Sequence, residues 1–228
     1  MLEAIDRDIW IAQGPSVRFL GFPYPTRMTV ARLADGGLWV CSPIALDAQL
    51  ASAIAALGPV RHLVSPNKLH HLFLSSWADQ WPDALLYAPP GLARRRPDLA
   101  FHAALGDVVE RAWAGEIDQV IFHGSFAMEE VVFFHRASRT AIFTDLIQRF
   151  DTSRWHGWRR LCIILDGLAG PNGSTPREWR LSFWNRRAAR VARQTTLAWD
   201  PRRVIIAHGE WVREDGRAVI ERSLRWIG

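Results

Sequence analysis

The sequence predicts an α/β protein of four layers, an αββα sandwich in which two mixed β-sheets pack face to face with helices outside both. Three observations carry this expectation. Short β-forming runs come first as a meander and then alternate with helical segments, and the same order repeats in the second half. No glycine-rich phosphate turn follows the first strand-like run, which removes a doubly wound dinucleotide-binding sheet. Neither an internal repeat nor a Ser/Gly linker interrupts the chain, so one domain over residues 1–228 is expected.

Taken in order, residues 8–12 and 28–33 cluster β-formers, and Asp35-Gly36-Gly37 turns the chain into a further strand over 38–41. Between them, residues 21–25, with Pro23 and Pro25, read as a stiffened loop barred from a central strand. Residues 45–57 form an alanine-rich helix stopped by Gly58-Pro59. A buried strand over 60–65, a helix over 69–80, a strand over 83–87 and a short basic helix within 89–98 follow. Residues 119–122, 130–135 and 140–144 read as three strands in quick succession, and 161–165 as another. The longest helix is expected over 177–196, then a strand over 203–207 and a last helix over 216–227. Trp77 with Trp81, and Trp179 with Phe183, recur at four-residue spacing, which is core packing on a helix. Trp155 and Trp158, interleaved with arginines, suggest a pocket lid.

Composition narrows the class. With 228 residues, 49% of them hydrophobic and 22% charged, the chain buries a sizeable core and is neither disordered nor a disulfide-stapled mini-protein. No apolar run reaches the roughly 18 residues that span a bilayer. The acidic start lacks a basic leader, and Cys41 and Cys162 have no metal-type spacing, so buried thiols, a cytoplasmic location and no membrane partner are expected. Lys68 is the one lysine among 28 basic residues. Residues 149–228 hold 16 Arg against 8 acids, a balance of +8, whereas residues 1–148 carry 12 basic and 15 acidic residues, a balance of −3. A basic half suggests nucleic acid, an anionic partner or a membrane surface, or else a coding preference for arginine whose side chains merely solvate helix faces. No nucleic-acid-binding module accompanies it, so a small anionic molecule is preferred over nucleic acid.

Polar residues recur just after the expected strands. The strand over 60–65 runs into Asn67, Lys68, His70 and His71, that over 119–122 into His123, that over 140–144 into Asp145 and that over 203–207 into His208. Ligand sites of layered α/β folds form at such carboxyl ends, and imidazole and carboxylate are what a Zn, Fe or Mn ion takes. Glu210, two residues after His208, reads as a surface charge rather than a general base.

The order His70-His71, His123-Gly124, Phe143-Thr144-Asp145-Leu146, Ala207-His208-Gly209 resembles the metallo-β-lactamase superfamily of hydrolases and oxidoreductases, over nearly the whole chain. Thr26-Arg27-Met28-Thr29, Asp35-Gly36-Gly37-Leu38 and residues 65–71 are similar to a bacterial and plant branch known only as a domain of unknown function. The gaps from His71 to His123, on to Asp145 and on to His208 are 52, 22 and 63 residues, which that fold accommodates. The superfamily's signature loop is H-x-H-x-D-H. Here Asn67 and Lys68 stand near the places of the leading histidines, and His70 stands where the acid would be. Cys41-Ser42-Pro43 replaces its D-T-G turn.

The resemblance thus implies at most one Zn, Fe or Mn ion, or none, on Asp145, His208 and one or both of His70 and His71, with His123 as a further ligand or an oxyanion donor. It implies a hydrolase of esters, thioesters, lactones or phosphoesters, with Asp145 and Lys68 catalytic. Lys68 would stand in for a missing cation, and Arg154, Arg159 or Arg160 would meet the substrate's anionic end. The alternative is a metal-free binding module for an anionic ligand.

Overall fold

The computed structural model describes every residue except Leu20 and Asn172. Among the described residues the chain forms two sheets. The first takes β1 (Leu2–Asp6), β2 (Ile9–Phe19), β3 (Phe22–Arg32), β4 (Leu38–Cys41), β5 (Val60–Val64), β6 (Leu85–Ala88) and β7 (Phe101–Ala104), side by side in that order. Its first four strands are antiparallel and the rest join in parallel, through α1 (Ala48–Leu57), α2 (Leu74–Gln80) and α3 (Leu92–Arg95). The second sheet has β8 (Ile117–Phe122), β9 (Glu130–His135), β10 (Thr140–Phe143) and β11 (Arg203–Ile206) in the order β11-β10-β9-β8. Here β10 and β11 are parallel and the other pairs antiparallel. Helices α4 (Gly157–Leu165), α5 (Arg177–Leu181), α6 (Arg186–Ala198) and α7 (Gly216–Ser223) complete the chain.

The four layers follow from period-2 burial. Trp39 and Cys41 of β4 join Ile9, Ile11, Val131, Phe133, Ile142 and Ile205 in the core between the sheets. Their alternates Leu38 and Val40 face outward onto Leu50 and Ile54 of α1 and Trp77 of α2. In the second sheet Val132, Phe134 and Phe143 turn away from the first and pack on Ala189 and Ala192 of α6 and Val219 and Ile220 of α7. The αββα sandwich expected from the sequence is the fold observed.

Several local expectations are corrected. Pro23 and Pro25 lie inside β3, not in a loop. β4 pairs only with residues 29–32 of β3, so the proline-bearing half has one neighbour, β2, and its other edge needs no N–H donors. Residues 161–165 are helical within α4, because β11 already occupies the second edge of β10, and of them only Ile163 is buried. The helix expected over 177–196 breaks into α5 and α6. Ser182 Oγ bonds back to the Trp179 carbonyl, and Asn185 caps α6 by accepting from the Ala188 N–H. The helix read over 69–80 begins only at Leu74, since residues 69–73 are turns. β1 and β7 are strands that the sequence reading did not find. Cys41 is buried as expected, but Cys162 is exposed on α4.

Candidate metal centre

Three strand ends meet at one edge of the sandwich. β10 and β11 are parallel neighbours in the register Phe143–Ile206, so the residues just beyond them, Asp145 and His208, emerge side by side. The loop after β5 brings His70 over from the first sheet. Asp145 Oδ2 lies 3.1 Å from His70 Nε2, and Asp145 Oδ1 lies 3.0 Å from His208 Nε2. One ligand atom from each of the three residues falls within 4.8 Å of the others.

Each imidazole is oriented from behind. His208 Nδ1 donates to the Pro25 carbonyl at 2.7 Å, and His70 Nδ1 lies 2.5 Å from Ser42 Oγ. Both rings therefore turn Nε2 toward Asp145, the arrangement by which outer partners orient metal-binding histidines. Ser42 holds this place just after β4 with φ of 57°, in the left-handed region that only a tightly determined non-glycine residue adopts. Gly209 follows His208 at φ of 100°, where a Cβ would stand 1.9 Å from the Arg149 carbonyl oxygen, so glycine is required for the chain to leave β11 here.

The carboxylate is prepared for cations. Burial opposes ionisation of Asp145, but His70 and His208 outweigh it and hold the carboxyl well below the usual range. Burial alone would depress His208, and its hydrogen bond to Asp145 more than reverses this, raising it above an ordinary imidazole.

On the far side of Asp145 lies a polar knot. Asn67 Nδ2 sits 2.8 Å from Asp145 Oδ2, 3.0 Å from Glu130 Oε2 and 3.1 Å from Thr144 Oγ1. Glu130, fully buried at the start of β9, accepts from the backbone N–H groups of Thr144, Asp145 and Leu146 and from the Thr144 hydroxyl. Its burial and the nearby Asp145 push its carboxyl upward. Sequence reasoning missed Glu130. The available signal was an acid opening the otherwise apolar run Val131-Val132-Phe133-Phe134.

Of the remaining expected site residues, Lys68 and His71 stand beside the cluster on the wall of the cavity over it, and the others lie elsewhere. His71 is not in the cluster, and its Nδ1 faces Arg96 Nη1 at 3.0 Å. Burial and then Arg96 lower its pKa. His123 is also outside it, held at 2.9 Å by both Asp107 and Glu129. The reason is topological. His123 follows β8, which is separated from β10 by β9, and two strand spacings amount to about 10 Å. Arg154 pairs with Asp151 and Glu210, and Arg159 stacks its guanidinium 5.2 Å from the Trp158 ring centroid. Arg160 is exposed on α4. Glu210 is a partly exposed charge paired with Arg154.

A cavity of about 540 Å³ opens over His70, Asp145 and His208. Its walls are largely apolar, with Phe19, Tyr24, Leu72, Phe73, Met128 and Trp179. The cations on it are Arg18, Lys68 and Arg95 rather than Arg154, Arg159 and Arg160, which do not line it. The expected lid tryptophans do not line it either, since Trp155 stacks on Phe22, 4.9 Å between centroids, and Trp158 stands on exposed α4. Lys68 is half-buried, its Nζ 3.5 Å from the Ala127 carbonyl. Gln148 lines the same cavity, and its buried Oε1 has no hydrogen-bond partner. No helix is long and apolar enough to cross a membrane among the described residues.

Solved structures similar to this fold include metallo-β-lactamases. That from Hirschia baltica superposes with a TM-score of 0.66 at 13% identity, covering 100% of this chain and 97% of its own. That from Pontibacter korlensis gives 0.66 at 13%, covering 100% and 98%. FIM-1 from Pseudomonas aeruginosa, in its mono-zinc form, gives 0.65 at 14%, covering 100% and 94%. At such identities the likeness establishes the fold and not the reaction. No curated protein matches the sequence. The family profile described as domain of unknown function DUF4336 matches residues 9–161, about two thirds of the chain, and the protein belongs to that family.

Proposed function

We propose that the chain is a metal-dependent hydrolase with a single-ion site on His70, Asp145 and His208, acting on an ester, thioester, lactone or phosphoester. The observation that carries this reading is the convergence of three ligand atoms within 4.8 Å of one another at the floor of a cavity of about 540 Å³. The donor set suits a Zn, Fe or Mn ion, with three protein ligands and room for further ones, the count of a catalytic rather than a structural site. The outer partners Ser42 and Pro25 fit the same role. FIM-1, a structural relative, is known in a mono-zinc form.

When bound, a divalent ion supplies Lewis acidity, lowering the pKa of water to about 7 and polarising the bond to be cleaved. The chain's own residues do the rest. Asn67 and Glu130 fix Asp145 from behind. Lys68, at the mouth, meets negative charge on the substrate as a mobile point charge, while Arg18 and Arg95 extend the cationic rim. The apolar wall of Phe19, Tyr24, Leu72 and Trp179 holds the substrate's body and excludes water. His71 and His123 take no part in the ligand set.

The test is a hydrolysis screen on protein stripped by chelator and then reloaded with Zn, Mn or Fe(II), using p-nitrophenyl acetate, an acyl thioester, a lactone and a phosphodiester. Turnover of one class in the reloaded protein only, abolished by Asp145→Asn, is the expected result. Turnover indifferent to chelator contradicts it. A metal-free binding module is the second reading, and the Asn67 amide on Asp145 Oδ2, where the superfamily has metal ligands nearby, is the observation in its favour. That reading requires the melting temperature to respond to small anions and not to chelator or metal.

A further inference from the structure

A second cavity, of about 210 Å³, lies outside the candidate metal centre and shares no lining residue with the first. Four arginines surround it: Arg177 and Arg180 of α5, Arg222 of α7 and Arg225 just beyond it. Gly173, Ser174 and Trp226 supply part of the remaining wall, and no carboxylate lines it among the described residues. Here the arginine surplus of residues 149–228 becomes a local structure.

Among the described residues no acid pairs with Arg177, Arg180 or Arg225. Among the described residues Arg177 and Arg225 make neither an ion pair nor a side-chain hydrogen bond. Arg180 donates only to the Thr175 and Asp166 carbonyls, which fix it without neutralising it. The acidic groups acting on Arg180 are Asp166 and Glu178, and neither lines the cavity. Arg186 adds a fifth guanidinium, 5.9 Å from the Trp226 ring centroid. Like charges gathered around one cavity repel, and an anion placed among them relieves that repulsion.

Size selects the anion. At about 30 Å³ per water in the liquid, the cavity holds the equivalent of about seven waters. That admits a phosphate or diphosphate group and is below the roughly 300 Å³ at which sites for whole drug-sized ligands begin. Arginine's planar fork matches phosphate oxygens in pairs.

We propose that the cavity between α5 and α7 binds the phosphate or diphosphate group of a small molecule through Arg177, Arg180, Arg222 and Arg225. This site does not depend on the metal-centre reading, because the two cavities have separate linings.

The experiment is calorimetric titration of the untagged full chain with inorganic phosphate and inorganic diphosphate, at low salt and in the presence of chelator. One ligand per chain is expected. The Arg177→Ala/Arg225→Ala double variant should weaken binding at least tenfold, since it removes two of the four guanidiniums that would make charge-assisted hydrogen bonds to the anion. Both side chains are exposed and bond nothing else, so the variant keeps its fold, which its melting temperature checks. Arg94→Ala, an exposed arginine that lines neither cavity, should bind as the unaltered protein does. The stronger of the two ligands distinguishes a monophosphate from a diphosphate site. No binding of either at millimolar concentration overturns the proposal. Equal binding by the double variant does so too, as does loss on Arg94→Ala alone. An oligonucleotide that binds more tightly than diphosphate and is lost with the same arginines would also overturn it, since it would mark an open polyanion surface.

Discussion

The chain ends two strands of one sheet with the same dipeptide. His208-Gly209 follows β11 and His123-Gly124 follows β8, and both glycines adopt positive φ, 100° and 102°, where a Cβ would strike a backbone carbonyl. In both, glycine lets the chain turn sharply as it leaves the strand. The two histidines nevertheless have different fates. β11 lies beside β10, so His208 meets Asp145 at 3.0 Å, while β8 lies two strands away and His123 is taken up by Asp107 and Glu129. Strand order, and not the motif, decides which histidine enters the candidate centre.

The difference can be sharpened by substitution. The largest effect is expected at Asp145, the carboxylate that distinguishes the two ends. Asp145→Asn leaves the His70 and His208 side chains facing an amide and should lower unfolding free energy by about 3–5 kcal/mol, the usual loss when one partner of a buried charged pair is removed. Urea denaturation measures it.

Next comes Glu130, which fills the gap between the two ends at the start of β9. Glu130→Ala strands the N–H groups of Thr144, Asp145 and Leu146 in the interior. At about 1 kcal/mol for each such group, the lower end of the usual range, a loss of about 3 kcal/mol is expected in the same assay, most of it restored by Glu130→Gln. A loss confined to about 1 kcal/mol would mean that the carboxylate does not organise the β10 end.

Gly209→Ala should destabilise by about 1–3 kcal/mol, from positive-φ strain added to the clash with the Arg149 carbonyl. Gly36→Ala, at φ of 83° with nothing within 4 Å, should cost less. Equal losses would show that the clash at the β11 exit carries no weight.

The smallest effect concerns pH. Burial opposes protonation of His123, but Glu129 and Asp107 outweigh it and raise its pKa above the ordinary 6.5. Folding therefore takes up a proton on His123 just above that pH. The stabilisation is complete below 6.5 and disappears as pH rises through the raised value. The stability difference between the protein and His123→Asn should accordingly be largest on the acidic side and shrink toward mildly alkaline pH. A difference that grows with pH would reverse the assignment.

These contrasts also show what the sequence made legible. The αββα order was readable because a strand meander followed by strand–helix units occurs twice along the chain. Asp145 and His208 were readable as strand-end polar residues. What escaped depends on pairing partners far away in the chain. The prolines of β3 are tolerated because β4 is short, and residues 161–165 are helical because a strand from residue 203 onward already holds the sheet edge. The choice of His70 over His71 rests on Ser42, 28 residues earlier, and the cationic rim of Arg18, Lys68 and Arg95 comes from a strand, a loop and a helix far apart in the chain. No local pattern encodes either.

The most direct test of the central claim is metal analysis of protein purified without a histidine tag, comparing the unaltered chain with His208→Ala and His123→Asn. The account predicts about one equivalent of Zn, Fe or Mn in the unaltered protein and in His123→Asn, and almost none in His208→Ala. Less than about a tenth of an equivalent in the unaltered chain would contradict it, because a three-ligand catalytic site retains its ion. Loss of the ion on His123→Asn would contradict it equally.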